Sequence, residues 1–133
     1  MAYLIDSDWV IDHLSEVPEA TQLLGELAED GIAIRIITYL EVYQGILKSD
    51  DPKVAEENLA TFLEGTVVLP LSQAVARRCA QIRHHLKQQG KRVHPRALDL
   101  IIAATAVEHG LTLVTRNTTD YNDIPNLKLY RGS

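Results

Sequence analysis

The chain has 133 residues and a single cysteine, Cys79, so no disulfide framework can staple it, and one thiol fits a reducing compartment. Long hydrophobic runs are missing too. The longest stretch without a charged residue is the 12 from Gly65 to Ala76, broken by Pro70, whereas a membrane-spanning helix needs about 20 apolar residues. Asp6 follows only five residues with no basic stretch among them, so no secretory signal is visible. Basic charge is in the minority, with 13 Lys and Arg against 18 Asp and Glu. The resulting net charge of −5 argues against indiscriminate nucleic-acid binding. Repeats and low-complexity segments are absent as well. What remains is 46% hydrophobic and 23% charged, an ordinary globular mixture long enough for one core. These features predict one soluble cytoplasmic domain over residues 1–133, with no membrane attachment.

The charge is unevenly spread. Arg77, Arg78, Arg83, Lys87, Lys91, Arg92 and Arg96 lie in a window without a single acid. That window carries +7 of a net −5, which leaves the rest of the chain at −12. Such a stripe can face phosphates while the remainder stays acidic, or it can be a solvated helix face. His84, His85 and His94 sit in the same stretch, but no cysteine or further histidine stands at ligand spacing, which argues against zinc.

Helical and strand patterns alternate. YLIDS reads as a strand, WVIDHL as a short helix, and Pro18 opens a second helix that Gly31 ends. The β-branched IAIRIIT predicts a strand, with a helix starting at Thr38 and another from Pro52 to about Glu64. TVVLPL follows as a strand, then a helix from a Ser72 cap to about Gln89. Pro95 is placed to begin the helix RALDLIIAATAVEHG, and TLVT and LKLY read as two final strands. Strands separated by helices imply a parallel α/β sheet covered on both faces. In such sheets functional groups gather outside the carboxyl ends of the strands, at the topological switch point.

Four segments deliver polar groups to that edge. Asp6 ends the first strand, Glu41 follows IAIRIIT, and Asn117 and Asp120 follow TLVT. Asp99 opens a helix whose next seven residues contain only one polar side chain, Thr105, which predicts an Asp99 partly withdrawn from water. Clustered carboxylates repel one another, and a hard divalent ion such as Mg²⁺ resolves the conflict. Mg²⁺ takes one or two carboxylates together with water and substrate phosphate. That chemistry is metal-assisted phosphodiester hydrolysis. Each residue also has a plainer role. Asp6 can cap a helix, Thr38 to Glu41 has the form of a capping box, and Asn117 and Asp120 suit a turn. Asp8, Asp12 and Asp123 read as surface acids.

The succession YLIDSD, TYLEVYQGIL, RALDLIIAATAVEHGLTLVTRNTTDY and IPNLKLY, from Tyr3 to Tyr130, resembles the PIN-domain ribonucleases. It is most similar to the VapC-type toxins of bacterial toxin–antitoxin pairs. The resemblance implies a three-layer α/β/α fold around a five-stranded parallel sheet, and endonucleolytic cleavage of RNA dependent on Mg²⁺ or Mn²⁺. It places Asp6, Glu41 and Asp99 at the family's first three acids. Asn117 stands where a fourth acid is often found, and Asp120 supplies a carboxylate nearby. One firm Mg²⁺ site on Asp6 and Asp99 is expected, with a second ion arriving only with RNA. Arg83, Lys87 and Arg92 are the candidate RNA contacts. The resemblance also implies a homodimer that joins a larger assembly with an antitoxin. The helices Ala20 to Glu29 and Tyr39 to Lys48 are the candidate groove for that partner.

Two other readings start from the same residues. Asp6-Ser7-Asp8-Trp9-Val10 fits the opening of haloacid-dehalogenase-type phosphatases, with Asp6 as nucleophile, Asp8 as acid/base and Thr38 as phosphate-binding hydroxyl. Alternatively the acids are only caps and turn formers on a binding module without catalytic activity.

Overall fold

The structure, a computed structural model, describes residues 1–132. The chain runs β1 (Tyr3–Ile5), α1 (Ser7–Leu14), α2 (Pro18–Ala28), β2 (Ile32–Arg35), α3 (Ile36–Leu47), α4 (Pro52–Glu64) and β3 (Thr66–Leu69). It continues through α5 (Gln73–Gln88), α6 (Ala97–His109), β4 (Thr112–Val114) and β5 (Lys128–Leu129). Single 3₁₀ turns, His94–Arg96 and Thr118–Tyr121, precede α6 and follow β4. The five strands pair in parallel in the order β3-β2-β1-β4-β5. The chain therefore builds outward from β1 in one direction, then returns to its other side at β4. The switch point lies between β1 and β4.

Successive strand side chains point to opposite faces, and each face is apolar. Leu4, Ala33 and Leu113 enter one core with Val75, Ile82 and Leu86 of α5 and Leu100, Ile102 and Ala106 of α6. Ile5, Ile34 and Val114 enter a second core with Val10, Leu24, Val42 and Leu59 from α1 to α4. The sheet is thus the middle of three layers, the α/β/α architecture expected from the sequence. No helix among the described residues is long and apolar enough to cross a membrane.

Local chemistry sets the helix ends. Asp51 Oδ1 accepts from the Val54 N–H, and Ser72 Oγ from the Val75 N–H, so each caps a first turn. Gly110 closes α6 at φ 65°, the left-handed conformation glycine adopts without strain. At Gly31 (φ 90°) a Cβ would lie 2.7 Å from the Met1 Cα, so the backbone just before β1 can be approached this closely only by a glycine.

One boundary differs from the sequence expectation. β2 stops at Arg35 and α3 begins at Ile36, two residues before Thr38. Arg35 occupies the N-cap without a side-chain cap, and Thr38 lies inside the helix, fully buried. Thr38 and Glu41 therefore form no capping box. Glu41 faces the site instead.

Candidate active site

Asp6 follows β1 directly. Its backbone N–H donates to the Val114 carbonyl of β4 at 3.0 Å, which sets it at the switch point. Its side chain is held from two sides. Oδ1 accepts from the Ser7 N–H at 2.8 Å as the cap of α1, and Oδ2 accepts from the Thr115 hydroxyl at 2.8 Å. Thr115 is buried and its Oγ also accepts the Asn117 N–H at 3.3 Å, so one hydroxyl positions two of the candidate site residues.

Ser7 links Asp6 to Glu41. Its hydroxyl donates to Glu41 Oε1 at 2.7 Å, with Thr38 Oγ1 at 3.2 Å behind it. The second group on Glu41 is Arg35, whose Nη2 lies 3.7 Å from the same Oε1. The Arg35 side chain is only 6% exposed, and its Nε and Nη1 are buried with no hydrogen-bond partner. A buried cation beside the acids is the feature that sequence reasoning missed.

Tyr121 lies in the field of both Asp6 and Asp99. Its ring is buried, and burial pushes its hydroxyl pKa far above the ordinary value. The charges of Asp6 and Asp99 and a hydrogen bond to Asp99 push the same way, with Arg35 opposing. The phenol thus stays protonated in the field of both carboxylates. Asp99 itself is exposed, contrary to the half-buried position expected for it. The apolar surround of α6 begins at Leu100, whereas the first turn opens outward, with Leu98 53% exposed.

Asp99 and Asp120 line one hollow of about 560 Å³ with Arg96 and Asp123. Arg96 feels the charge of Asp99 but makes its hydrogen bonds elsewhere. It donates twice to Asp123, at 3.0 and 2.9 Å, and once to the Asp120 carbonyl, at 2.9 Å. Lys91 adds a third charged bond to Asp123 at 2.9 Å. These partners, Arg96 foremost, hold the Asp123 carboxyl well below the usual carboxylate range. Asp123 is therefore the centre of a clamp, not the surface acid expected. The clamp pins the loop bearing Asp120 to the approach of α6. Asp12 pairs with Arg116, which lies over the Trp9 ring, and Asp8 is exposed.

The basic stripe is partly neutralised. Arg78 pairs with Glu108, and Lys91 and Arg96 with Asp123. Among the described residues Arg77, Arg83, Lys87 and Arg92 have no carboxylate partner. Arg83 and Lys87 border a shallow hollow between α5 and α6, and Arg92 is exposed in the connection between those helices.

Among the described residues no three His, Cys, Asp or Glu side chains are grouped closely enough to hold an ion by themselves. A closed four-ligand zinc site is therefore unsupported. The donors fit Mg²⁺ better. Asp6 and Asp99 offer oxygen donors only, both near the Tyr121 hydroxyl, and Mg²⁺ keeps waters around one or two carboxylates. Thr38, the phosphate-binding hydroxyl of the phosphatase reading, is sealed in the interior.

Carboxylates at the switch point of a three-layer parallel sheet, with hydroxyl and guanidinium partners and no thiol or imidazole, mark an acidic-edge α/β protein. More particularly, the chain belongs to the PIN domain family, which matches residues 3–126. It is 31% identical over 132 residues to the tRNA(fMet)-specific endonuclease VapC of Shigella flexneri, covering 96% of each chain. Among solved structures, VapBC of Salmonella typhimurium bound to DNA superposes with a TM-score of 0.82 at 27% identity, covering 98% of this chain and 97% of that one. VapBC2 of Rickettsia felis, bound to a DNA fragment from its promoter, gives 0.81 at 27% identity and covers 98% of both.

Proposed function

We propose that this chain is the toxin of a toxin–antitoxin pair, an endoribonuclease that hydrolyses phosphodiester bonds in a specific cellular RNA. The observation that carries this reading is Asp6. It sits at the switch point, is held by Ser7 and Thr115, and acts with Asp99 on the nearby Tyr121 hydroxyl. Relatives named as ribonucleases and as toxin–antitoxin complexes support it.

Asp6 and Asp99 would hold Mg²⁺, with Mn²⁺ as a substitute. Bound there, the ion supplies an acidified water and neutralises charge on the phosphate. The chain's own groups prepare the site. The Ser7 N–H and Thr115 hydroxyl fix both oxygens of Asp6, which limits the reorganisation needed when substrate arrives. Ser7 and Arg35 hold Glu41 in reach, where its carboxylate can accept a proton from attacking water. Tyr121 stands beside Asp99, and Thr115 orients the strand end carrying Asn117. Asp120 lies on the far rim. A second ion would rely on Asn117, a weaker ligand than a carboxylate, and on substrate phosphate. Arg83, Lys87 and Arg92 would receive the RNA backbone, for which the acidic edge has no affinity of its own.

The partner is an antitoxin protein, and the toxin is a cytoplasmic homodimer within a larger complex, with residues 1–133 acting as one domain. An apolar groove of about 330 Å³ between α1, α3 and α4, lined by Leu14, Val42, Ile46 and Val54, reaches Glu41. It suits an apolar segment ending in a basic side chain. Of the two helices expected from the sequence to form this surface, α3 lines the groove, while α2 borders a separate hollow beside Trp9 and Tyr130.

Incubating the purified chain with total cellular RNA and mapping new ends tests this reading. Discrete ends are expected with Mg²⁺ and none with a chelator or in Asp6→Asn. Cleavage by Asp6→Asn at the wild-type rate contradicts it.

A further inference from the structure

Among the described residues Arg35 is the buried cation beside the acids, and holding Glu41 does not by itself require a full positive charge there. It ends β2, paired in register with Leu69 of β3, and its backbone starts α3. Its side chain is 6% exposed, and only one of its three nitrogens meets an acid, Glu41 at 3.7 Å. A buried guanidinium with unmade hydrogen bonds is costly unless opposite charge surrounds it. No other carboxylate lies within ion-pair distance of it among the described residues. Asp6, Asp99 and Arg35 nonetheless lie around one group, the buried Tyr121 ring, whose hydroxyl the acids push up and Arg35 pulls down. The sealed Nε and Nη1 argue against a phosphate-binding role, since a phosphate could reach them only by opening the interior.

We propose that Arg35 is the acid cluster's resident counter-ion: it neutralises Glu41 and its neighbours while no divalent ion is bound, and thereby weakens their affinity for that ion. The inference rests on the reading of Asp6 and Asp99 as a divalent-cation site. It makes Arg35 a positioning residue. A site with its own cation tolerates clustered carboxylates before metal arrives, and gives up metal affinity in exchange. Full occupancy then needs a further contribution, which RNA phosphate supplies by bringing ligands of its own.

Two measurements on the full chain decide this. The first is Mn²⁺ affinity, read by electron paramagnetic resonance of the free ion. Arg35→Met should bind Mn²⁺ roughly tenfold more tightly than wild type, as expected for removing one nearby like charge. Arg35→Lys keeps the charge and should stay close to wild type. Equal or weaker binding by Arg35→Met overturns the proposal. The second is thermal melting in chelator, which remains decisive should Arg35→Met fold poorly. Glu41→Gln strips Arg35 of its acid and should lower the melting temperature, and the double change Glu41→Gln with Arg35→Met should recover it. A neutral Glu41→Gln, or a double change worse than the single one, overturns the proposal. Asp99→Asn separates the two readings. If it binds Mn²⁺ as wild type does, the metal-site assignment fails while the melting cycle still judges the counter-ion.

Discussion

Replacing Asp123 with Asn tests how the loop after β4 is held against the start of α6. The native carboxylate receives two bonds from Arg96 and one from Lys91, all between 2.9 and 3.0 Å. Charge-assisted bonds of this kind are worth about 1.5–3 kcal/mol each when buried. Here Lys91 is 41% exposed and Arg96 23%, and asparagine keeps one acceptor, so the net loss is about 2 kcal/mol. For a chain of this length the unfolding entropy is about 0.28 kcal/mol per kelvin, so the melting temperature should fall by about 7 °C. The pH dependence is the sharper signature. Because the folded-state pKa of Asp123 is depressed, its stabilisation is complete above the unfolded value near 4, and is lost as pH falls through the folded value. Differential scanning calorimetry should therefore show a gap between wild type and Asp123→Asn that is constant from pH 7 to 5. It should close as the pH falls from about 4 toward 2. A gap that persists undiminished to pH 2 would refute the charge-clamp explanation. A loss with no pH dependence would point to packing.

Other consequences follow from the same contacts. Thr115→Val keeps shape but removes the donor to Asp6 Oδ2. It should cost about 1 kcal/mol in stability and 10- to 100-fold in RNA cleavage, read as kcat/KM against a defined RNA. Changing Arg83, Lys87 and Arg92 together to glutamine should weaken RNA binding. It should also reduce the slope of log K against log salt by about 2, with Mn²⁺ affinity unchanged. Asn117→Asp adds a charged oxygen donor beside Thr115 and should tighten Mn²⁺ binding; an unchanged titration curve would remove Asn117 from the metal site.

The layer order and the location of the site could be read from the sequence because both follow from alternation. Short β-branched runs between helices compel parallel pairing, and a parallel sheet exposes polar groups at its carboxyl edge. The β2–α3 boundary could not be read. Ile36, Ile37 and Thr38 are all β-branched, so local propensity extends the strand, whereas burial of Thr38, Val42 and Ile46 on one helical face begins the helix earlier. Arg35 was hidden by the same run, although a charge closing an otherwise apolar strand is itself a signal. Ser7 and Thr115, hydroxyls adjacent to the acids at two strand ends, are a further signal legible in the sequence. The pairing of Arg78 with Glu108, and of Lys91 and Arg96 with Asp123, spans 27 to 32 residues. No local window of charge can disclose it. The exposure of Asp99 went unforeseen because an apolar helix predicts burial for its body and not for its opening turn.

Asp99 is the most direct test of the acidic edge as the site of cleavage. Cleavage of RNA in Mg²⁺ should be compared between wild type and Asp99→Asn, with melting curves confirming that both are folded. The predicted result is a loss of cleavage of at least about 100-fold with the melting temperature in chelator unchanged or raised, since one repelling charge is gone. A folded Asp99→Asn chain that cuts RNA as fast as wild type would contradict the assignment of the acidic edge as the place where the phosphodiester bond is broken.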